Sequence, residues 1–447
     1  MENQRDQKNV TILGGGIAGL SAGYFSKKKG FGFEIYEATE QVGGNCRTLS
    51  FGDFKVDTGA HRFHDKDKEI TREIRSLMGD KIQEINVPSF IFHRNKLIHF
   101  PLTPANVFFQ LSFAEICKAA WYFFSDKLKS SKNDNFLSLA CQKYGRFIAG
   151  MFLINYSEKL WGEKCYNLSP DVAGARLKDL NFRSMLTEFV FKNSKSKHLE
   201  GSFFYPHNGF GTIADELAGF CETENIHLNS RITGIITKGD SISEVVINNE
   251  KRIYPEMVIN TLPVTTLLQI MSPAPPDEIL GTVKKLKFRH LKLVVFLFGK
   301  NQVKDAATLY FPDNRFIFTR CYEPRNRSRK MSPDGKTSLV AEIPFSNGDK
   351  ISQLTNEELI TRTQLDLVST KLIDENEILE THVFSVPFAY PVLTKGYEND
   401  YQKIFQWLGQ FKNLYISGRN GRFEYSWVHN MMRWAHDLIK KVESFSK

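Results

Sequence analysis

Val10-Thr11-Ile12-Leu13-Gly14-Gly15-Gly16-Ile17-Ala18-Gly19-Leu20 decides how this chain folds. Four β-prone residues run straight into Gly14-x-Gly16-x-x-Gly19, and the helical stretch 20–29 that follows stops at Gly30. Phe33-Glu34-Ile35-Tyr36-Glu37 is a second strand. Strand, turn, helix, strand is a βαβ unit, so its two strands run parallel. The first glycine permits the tight turn, the second lets a pyrophosphate reach the backbone, and the third lets helix and strand pack closely. The helix N-terminus then offers free N–H groups and a positive dipole end to phosphate. Glu37 stands 23 residues after Gly14, where a carboxylate can accept hydrogen bonds from a ribose diol. The stretch reads as a dinucleotide site.

Outward from it, 447 residues leave room for two or three units with sizeable cores. Hydrophobic residues at 41% and charged residues at 24% exclude a disordered, collagenous or disulfide-stapled chain. The net charge of +9 is dispersed, with no uninterrupted basic block longer than Lys27-Lys28-Lys29. It suits anionic small ligands as well as nucleic acid, and no nucleic-acid partner is expected. The 37 Phe are about twice ordinary usage, enough for large cores or a cavity for a flat ligand. Cysteines at 46, 117, 141, 165, 221 and 321 form no Cys-x-x-Cys pair and have no zinc-ligand spacing to histidine. Reduced thiols, no metal and a cytoplasmic setting are the expectation. The polar first nine residues show no secretory signal. The stretch 97–125 is broken by Pro101, Pro104, Asn106 and Gln110, so it is not a membrane span.

From 91 to 204 the pattern turns helical, with Thr103 as a cap and Pro104 at the first helical position. Phe109, Phe113, Ile116, Ala120 and Phe123 make one apolar face, read as core-facing. The other reading is a Phe-rich surface over 104–124 that leans weakly on lipid. Strands return at 232–237, 243–247, 257–262, 291–298, 338–343 and 413–417, before a final helix stepping through Val428, Met431, Ala435, Leu438 and Val442. The expected architecture is α/β. A discontinuous Rossmann-type unit takes 1–90, 205–270 and 400–447, a helical insertion 91–204, and a mixed-sheet substrate domain 271–399.

A second phosphate contact follows Glu37-Ala38: Gly43 and Gly44, with Asn45 and Arg47 beside them, suit a dinucleotide bound in extended form. With Val56-Asp57-Thr58-Gly59-Ala60-His61, these residues resemble the FAD-binding domain of the amine oxidase and protoporphyrinogen oxidase superfamily. Thr261, in Val258-Ile259-Asn260-Thr261-Leu262-Pro263, matches that superfamily's later strand at the adenine side. Ile416-Ser417-Gly418-Arg419 matches the strand end near the far half of the flavin.

Within the superfamily the likeness is closer to the UDP-galactopyranose mutases. Gly59-Ala60-His61-Arg62-Phe63-His64 resembles their histidine loop beside the flavin ring, and Tyr156-Ser157-Glu158-Lys159-Leu160-Trp161-Gly162 their Tyr-Thr-x-Lys-x-Trp-Gly segment. Thr319-Arg320-Cys321-Tyr322-Glu323 resembles their Thr-Arg-x-x-Glu, and Tyr425 keeps its spacing from Gly418-Arg419. The resemblance implies FAD as cofactor and an anionic nucleotide sugar as substrate. It implies a pyranose/furanose-type isomerisation through reduced flavin N5, in which His64, Arg320 and Tyr425 are the catalytic candidates. Tyr156, Trp161, Arg176 and Arg320 are its candidate substrate contacts. Leu180 occupies the place of the mutases' second arginine, with Arg183 one turn away as a substitute. Tyr205, in Phe203-Phe204-Tyr205-Pro206, reads equally as core strand and as cleft wall. The rival function is hydride transfer from a C–N or C–C substrate to oxidised flavin; a non-catalytic flavin carrier is the third.

Overall fold

The computed structural model describes residues 9–101, 111–128, 134–173 and 202–444. Strand β1 (Asn9–Leu13), helix α1 (Ile17–Lys28) and strand β2 (Gly32–Tyr36) form the opening βαβ unit, with β1 and β2 parallel in register Val10 to Phe33. Their sheet has the order Leu414–Ile416, Met257–Asn260, β1, β2, Ile226–His227 among the described residues. Every pairing in it is parallel. One sheet is thus assembled from three stretches far apart in sequence. One face, with Val10, Ile12, Phe33, Ile35 and Ile259, shares a core with α1 and the final helix. The other, with Leu13, Tyr36, Val258 and Leu414, shares a core with Ile232, Ile235 and Val245 of the strands Ile232–Lys238 and Ser241–Ile247. On one face α1 packs against the final helix Val428–Ser444, where Val428, Met432, Ala435, Ile439 and Val442 are buried.

The second large sheet is mixed. Its order is Ile378–Pro391, Phe288–Phe298, Thr337–Phe345, Arg320–Tyr322, Thr308–Tyr310, Ser89–His93, Lys96–Phe100. The last two strands correct the expectation that the chain turns helical at 91. They form a hairpin paired His93 to Lys96, and Arg94 and Asn95 at its tip have φ of 49° and 60°. Two left-handed residues in succession make the turn whose twist matches a hairpin. An Arg-Asn tip carries none of the usual Asn-Gly signal.

The helix Phe113–Leu128 is present and packs on the helix Phe136–Ala149, but not by the expected face. Phe123 is buried, whereas Phe113 is 82% exposed and Ala120 is also exposed. The helices meet at Phe123, whose backbone a Cβ on Gly145 would approach to 2.8 Å, and Asp126 on the same side pairs with Arg146 at 2.5 Å. With that side turned inward, Phe113 and Ala120 face solvent. Thr103, Pro104 and Phe109 lie outside the described residues. All six cysteines are free thiols, and four are buried. Among the described residues no helix is long and apolar enough to cross a membrane, and no cluster of His, Cys, Asp and Glu could hold a metal ion.

Candidate active site

At the β1–α1 turn, a Cβ on Gly19 would lie 1.9 Å from the Gly14 carbonyl oxygen, so only glycine lets α1 start this close to β1. The Gly15 N–H donates to Glu37 Oε2 at 2.8 Å, and Thr39 N–H and hydroxyl donate to Glu37 Oε1. Those bonds fix the carboxylate at the end of β2. Gly43 N–H donates to Gly15 C=O at 2.8 Å, which brings the second glycine pair against the first. Gly16 and Gly44 then face each other with only backbone between them: a Cβ on Gly44 would lie 3.2 Å from Gly16 Cα.

From this cradle a continuous cavity of about 380 Å³ runs between the two sheets. Gly14, Gly16, Ile17, Ala18, Glu37 and Ala38 line its first end, followed by Gly43, Gly44, Asn45 and Arg47. Gly59, Ala60, His61 and Arg62 continue the wall with Thr261, Gly418 and Arg419, and His64, Arg320 and Tyr425 close the far end. Gly19 is packed beneath the cradle and does not line it.

At the far end Arg320 donates from Nε to Glu342 Oε2 at 2.6 Å and from Nη2 to the Tyr390 hydroxyl at 3.1 Å. Glu342 is fully buried, and its other oxygen accepts the Ala60 N–H at 2.8 Å. One carboxylate therefore joins the histidine loop to the buried arginine. The Arg419 guanidinium lies 5.0 Å from the centres of both the Tyr390 and Tyr425 rings. Trp161 meets those two rings edge-on from behind, at 5.8 and 5.4 Å. Burial, with Arg320, Arg327 and Arg419 adding to it, pulls His61 down to about 3, against a hydrogen bond with the Asn45 backbone that raises it. His61 is neutral at physiological pH. Burial pushes the Tyr390 phenol up to about 12.

Three sequence-expected substrate contacts do not line the cavity. Trp161 is 3% exposed and supports the aromatic cluster from outside the cavity. Tyr156 does not line the cavity but packs edge-on against Tyr310 at 5.8 Å, and both lie within electrostatic reach of Arg320. Tyr205 is fully buried in a strand paired with Ile82–Ile85, and its hydroxyl donates to Asp57 Oδ2 at 2.6 Å. The core-strand reading of Tyr205 replaces the cleft-wall reading. Arg176, Leu180 and Arg183 lie outside the described residues.

Tyr390, Glu342, Phe388, Asn420 and Trp427 belong to the site region and were not singled out. Glu342 left a trace, a lone acid inside the apolar run Ser338-Leu339-Val340-Ala341-Glu342-Ile343. Tyr390 left almost none, since a tyrosine before a proline at a strand end is common.

A flat dinucleotide fits this cavity on two counts. The Gly16–Gly44 approach leaves space that any side chain would fill. Four buried polar atoms of lining residues, Arg47 Nε, His61 Nε2, Arg419 Nε and Asn420 Oδ1, have no partner among the described residues.

The geometry agrees with comparisons to known proteins. The chain is 20% identical over 395 residues to coproporphyrinogen III oxidase of Bacillus subtilis (strain 168), covering 81% of this chain and 82% of that one. It is 22% identical over 335 residues to protoporphyrinogen oxidase 2, chloroplastic/mitochondrial, of Arabidopsis thaliana, covering 66% of each. In fold it is similar to reduced UDP-galactopyranose mutase, with a TM-score of 0.86, 18% identity, and 98% and 96% of the two chains covered. It is also similar to a putative protoporphyrinogen oxidase from Exiguobacterium sp. 255-15, with a TM-score of 0.76, 17% identity and 98% of each chain covered. The family model described as flavin containing amine oxidoreductase matches residues 17–424. A match of that length around such a cradle has one consequence: the chain belongs to the flavin-containing amine oxidoreductase family, and its cofactor is FAD.

Proposed function

We propose that this enzyme rearranges an anionic, nucleotide-activated sugar without net oxidation or reduction. The observation that carries the reading is the far end of the cavity. There Arg320, Arg419 and the Tyr390 hydroxyl stand beside the rings of Tyr390 and Tyr425, with Trp161 behind. Guanidinium N–H groups suit phosphoryl oxygens, and phenol hydroxyls on aromatic faces suit a sugar ring. The fold likeness to the reduced mutase points the same way.

Gly16, Gly44 and Arg47 would hold the pyrophosphate of FAD, Glu37 its ribose, and the 59–62 loop with Gly418-Arg419 its ring system. When bound, FAD supplies a hydride acceptor if oxidised and a nucleophilic ring nitrogen if reduced. The chain's own residues then have distinct tasks. Arg320 uses two N–H groups on Glu342 and Tyr390, which holds its guanidinium in one orientation beside the cavity. Glu342 offsets that charge, so the buried arginine stays ionised without substrate. Tyr390, with its raised pKa, stays protonated: its oxygen accepts from Arg320, and its O–H remains to donate to a substrate. Neutral His61 can accept or donate at Nε2 without adding a further positive charge beside Arg320 and Arg419.

The second reading, an oxidoreductase, is favoured by two sequence relatives that run along most of the chain, both named as oxidases. Flavin redox state separates the two. Protein reduced anaerobically is incubated with nucleotide sugars and products are followed by NMR. The proposal expects turnover only after reduction, with no oxidant consumed. Bleaching of the oxidised protein by an uncharged substrate without oxygen would establish the second reading instead.

A further inference from the structure

The face that the helix Phe113–Leu128 turns outward is the largest run of exposed apolar side chains among the described residues. Phe113 is 82% exposed, Trp121 71%, Phe124 65% and Leu128 86%. With exposed Cys117 they step by four, four, three and four residues, which is a single stripe along one side of an α-helix. Scattered exposed hydrophobics are ordinary, but an aligned stripe of this length marks a contact surface.

The charges around the stripe select what it contacts. Lys118 follows Cys117 by one residue and Lys127 precedes Leu128 by one, so at about 100° per residue they stand on opposite flanks. The two acids of the helix lie on the far side. Glu115 is paired with Arg94 at 2.6 Å and Asp126 with Arg146 at 2.5 Å. Aromatic rings in front, lysines on both rims and acids behind is the arrangement of a helix lying in a membrane interface. A second copy of this helix would bring lysines to a seam where the helix itself supplies no acid.

We propose that this stripe docks the protein on the surface of an anionic phospholipid bilayer, with the helix axis parallel to the membrane plane. The net charge of +9 favours the same approach. The docking helix packs on Phe136–Ala149, and that helix runs on through Gly150–Ile154 into Asn155–Trp161. The lipid face and the tryptophan behind the site thus belong to one helical layer. This inference is independent of the sugar-nucleotide reading and stands or falls on lipid alone.

The test is flotation of the full-length FAD-loaded protein with phosphatidylcholine vesicles, with and without phosphatidylglycerol. Binding is expected with phosphatidylglycerol and weak without it. Lys118→Glu with Lys127→Glu should lower the partition constant by about thirtyfold or more. Trp121→Ser with Phe124→Ser should lower it by about a hundredfold. Both variants should keep full FAD content, because the altered side chains lie mostly in solvent. The lysine pair tests the same face through charge and leaves its exposed apolar side chains in place. The proposal is overturned if the wild type does not float, or if both variants float as it does. It is overturned equally if the wild type is a dimer that Trp121→Ser with Phe124→Ser dissociates while vesicle binding is absent.

Discussion

The two ends of the cavity are built by opposite means. The first end is backbone: Gly14, Gly16, Gly43 and Gly44 leave empty space along the turn, supported by one carboxylate, Glu37. All but that pairing come from short, contiguous stretches of chain. The far end is side chain: Arg320, Glu342, Tyr390, Arg419 and Tyr425 arrive from four separate segments and hold one another by ion pair, hydrogen bond and ring contact. A backbone cradle accepts one kind of ligand whatever surrounds it. A side-chain network can be retuned at any member, so one family keeps its cofactor while its chemistry diverges.

The largest expected effect lies at the far end. Glu342→Leu leaves Arg320 buried without its counter-charge and frees the Ala60 N–H, and breaking such a pair costs about 3–5 kcal/mol. A fall in thermal melting temperature should measure it. An unchanged melting temperature would mean the network is as loosely built as a surface. At the first end, Gly16→Val should fold, since a Cβ there meets nothing closer than Gly44 Cα at 3.8 Å. It fills the space the pyrophosphate needs, so the protein should purify colourless with an apoprotein circular dichroism spectrum like that of the wild type. A yellow, flavin-replete variant would break the contrast drawn above.

Arg320→Lys is gentler. It keeps the charge on Glu342 but loses the planar fork, and should weaken a diphosphate substrate about tenfold by lost charge-assisted bonds. An uncharged substrate would show unaltered KM, which titration of activity against substrate resolves. The smallest effect is a slope. His61 has its folded pKa depressed to about 3 against an ordinary 6.5, so below pH 6.5 the unfolded chain takes up a proton that the folded one refuses. Stability should therefore fall as pH drops from 6.5 toward 3. His61→Gln should flatten that part of the curve of melting temperature against pH, while leaving it unchanged above pH 7.

The difference between the ends also explains which residues could be found in advance. Gly14, Gly16, Gly19 and Glu37 are legible because the chemistry of a phosphate turn demands those types at that spacing within one βαβ unit. Arg320, Arg419 and Tyr425 were reachable only through resemblance. Tyr205 misled because an aromatic before a glycine-rich turn serves a buried strand as readily as a cleft. Phe113 misled for a related reason: helical periodicity says that a face is apolar, not which way it points.

The sequence by itself determined the parallel βαβ opening and the dinucleotide cradle, since each depends on neighbours within a few turns of chain. Only the tertiary structure decided that Glu342 joins Ala60 to Arg320, that Tyr390 completes the far end, and that Phe113 faces outward while Phe123 and Asp126 face in. Those outcomes rest on pairings between residues tens to hundreds of positions apart, or on the burial of a single charge. Burial energies of that kind depend on which groups meet after the chain has closed, and no local pattern encodes them.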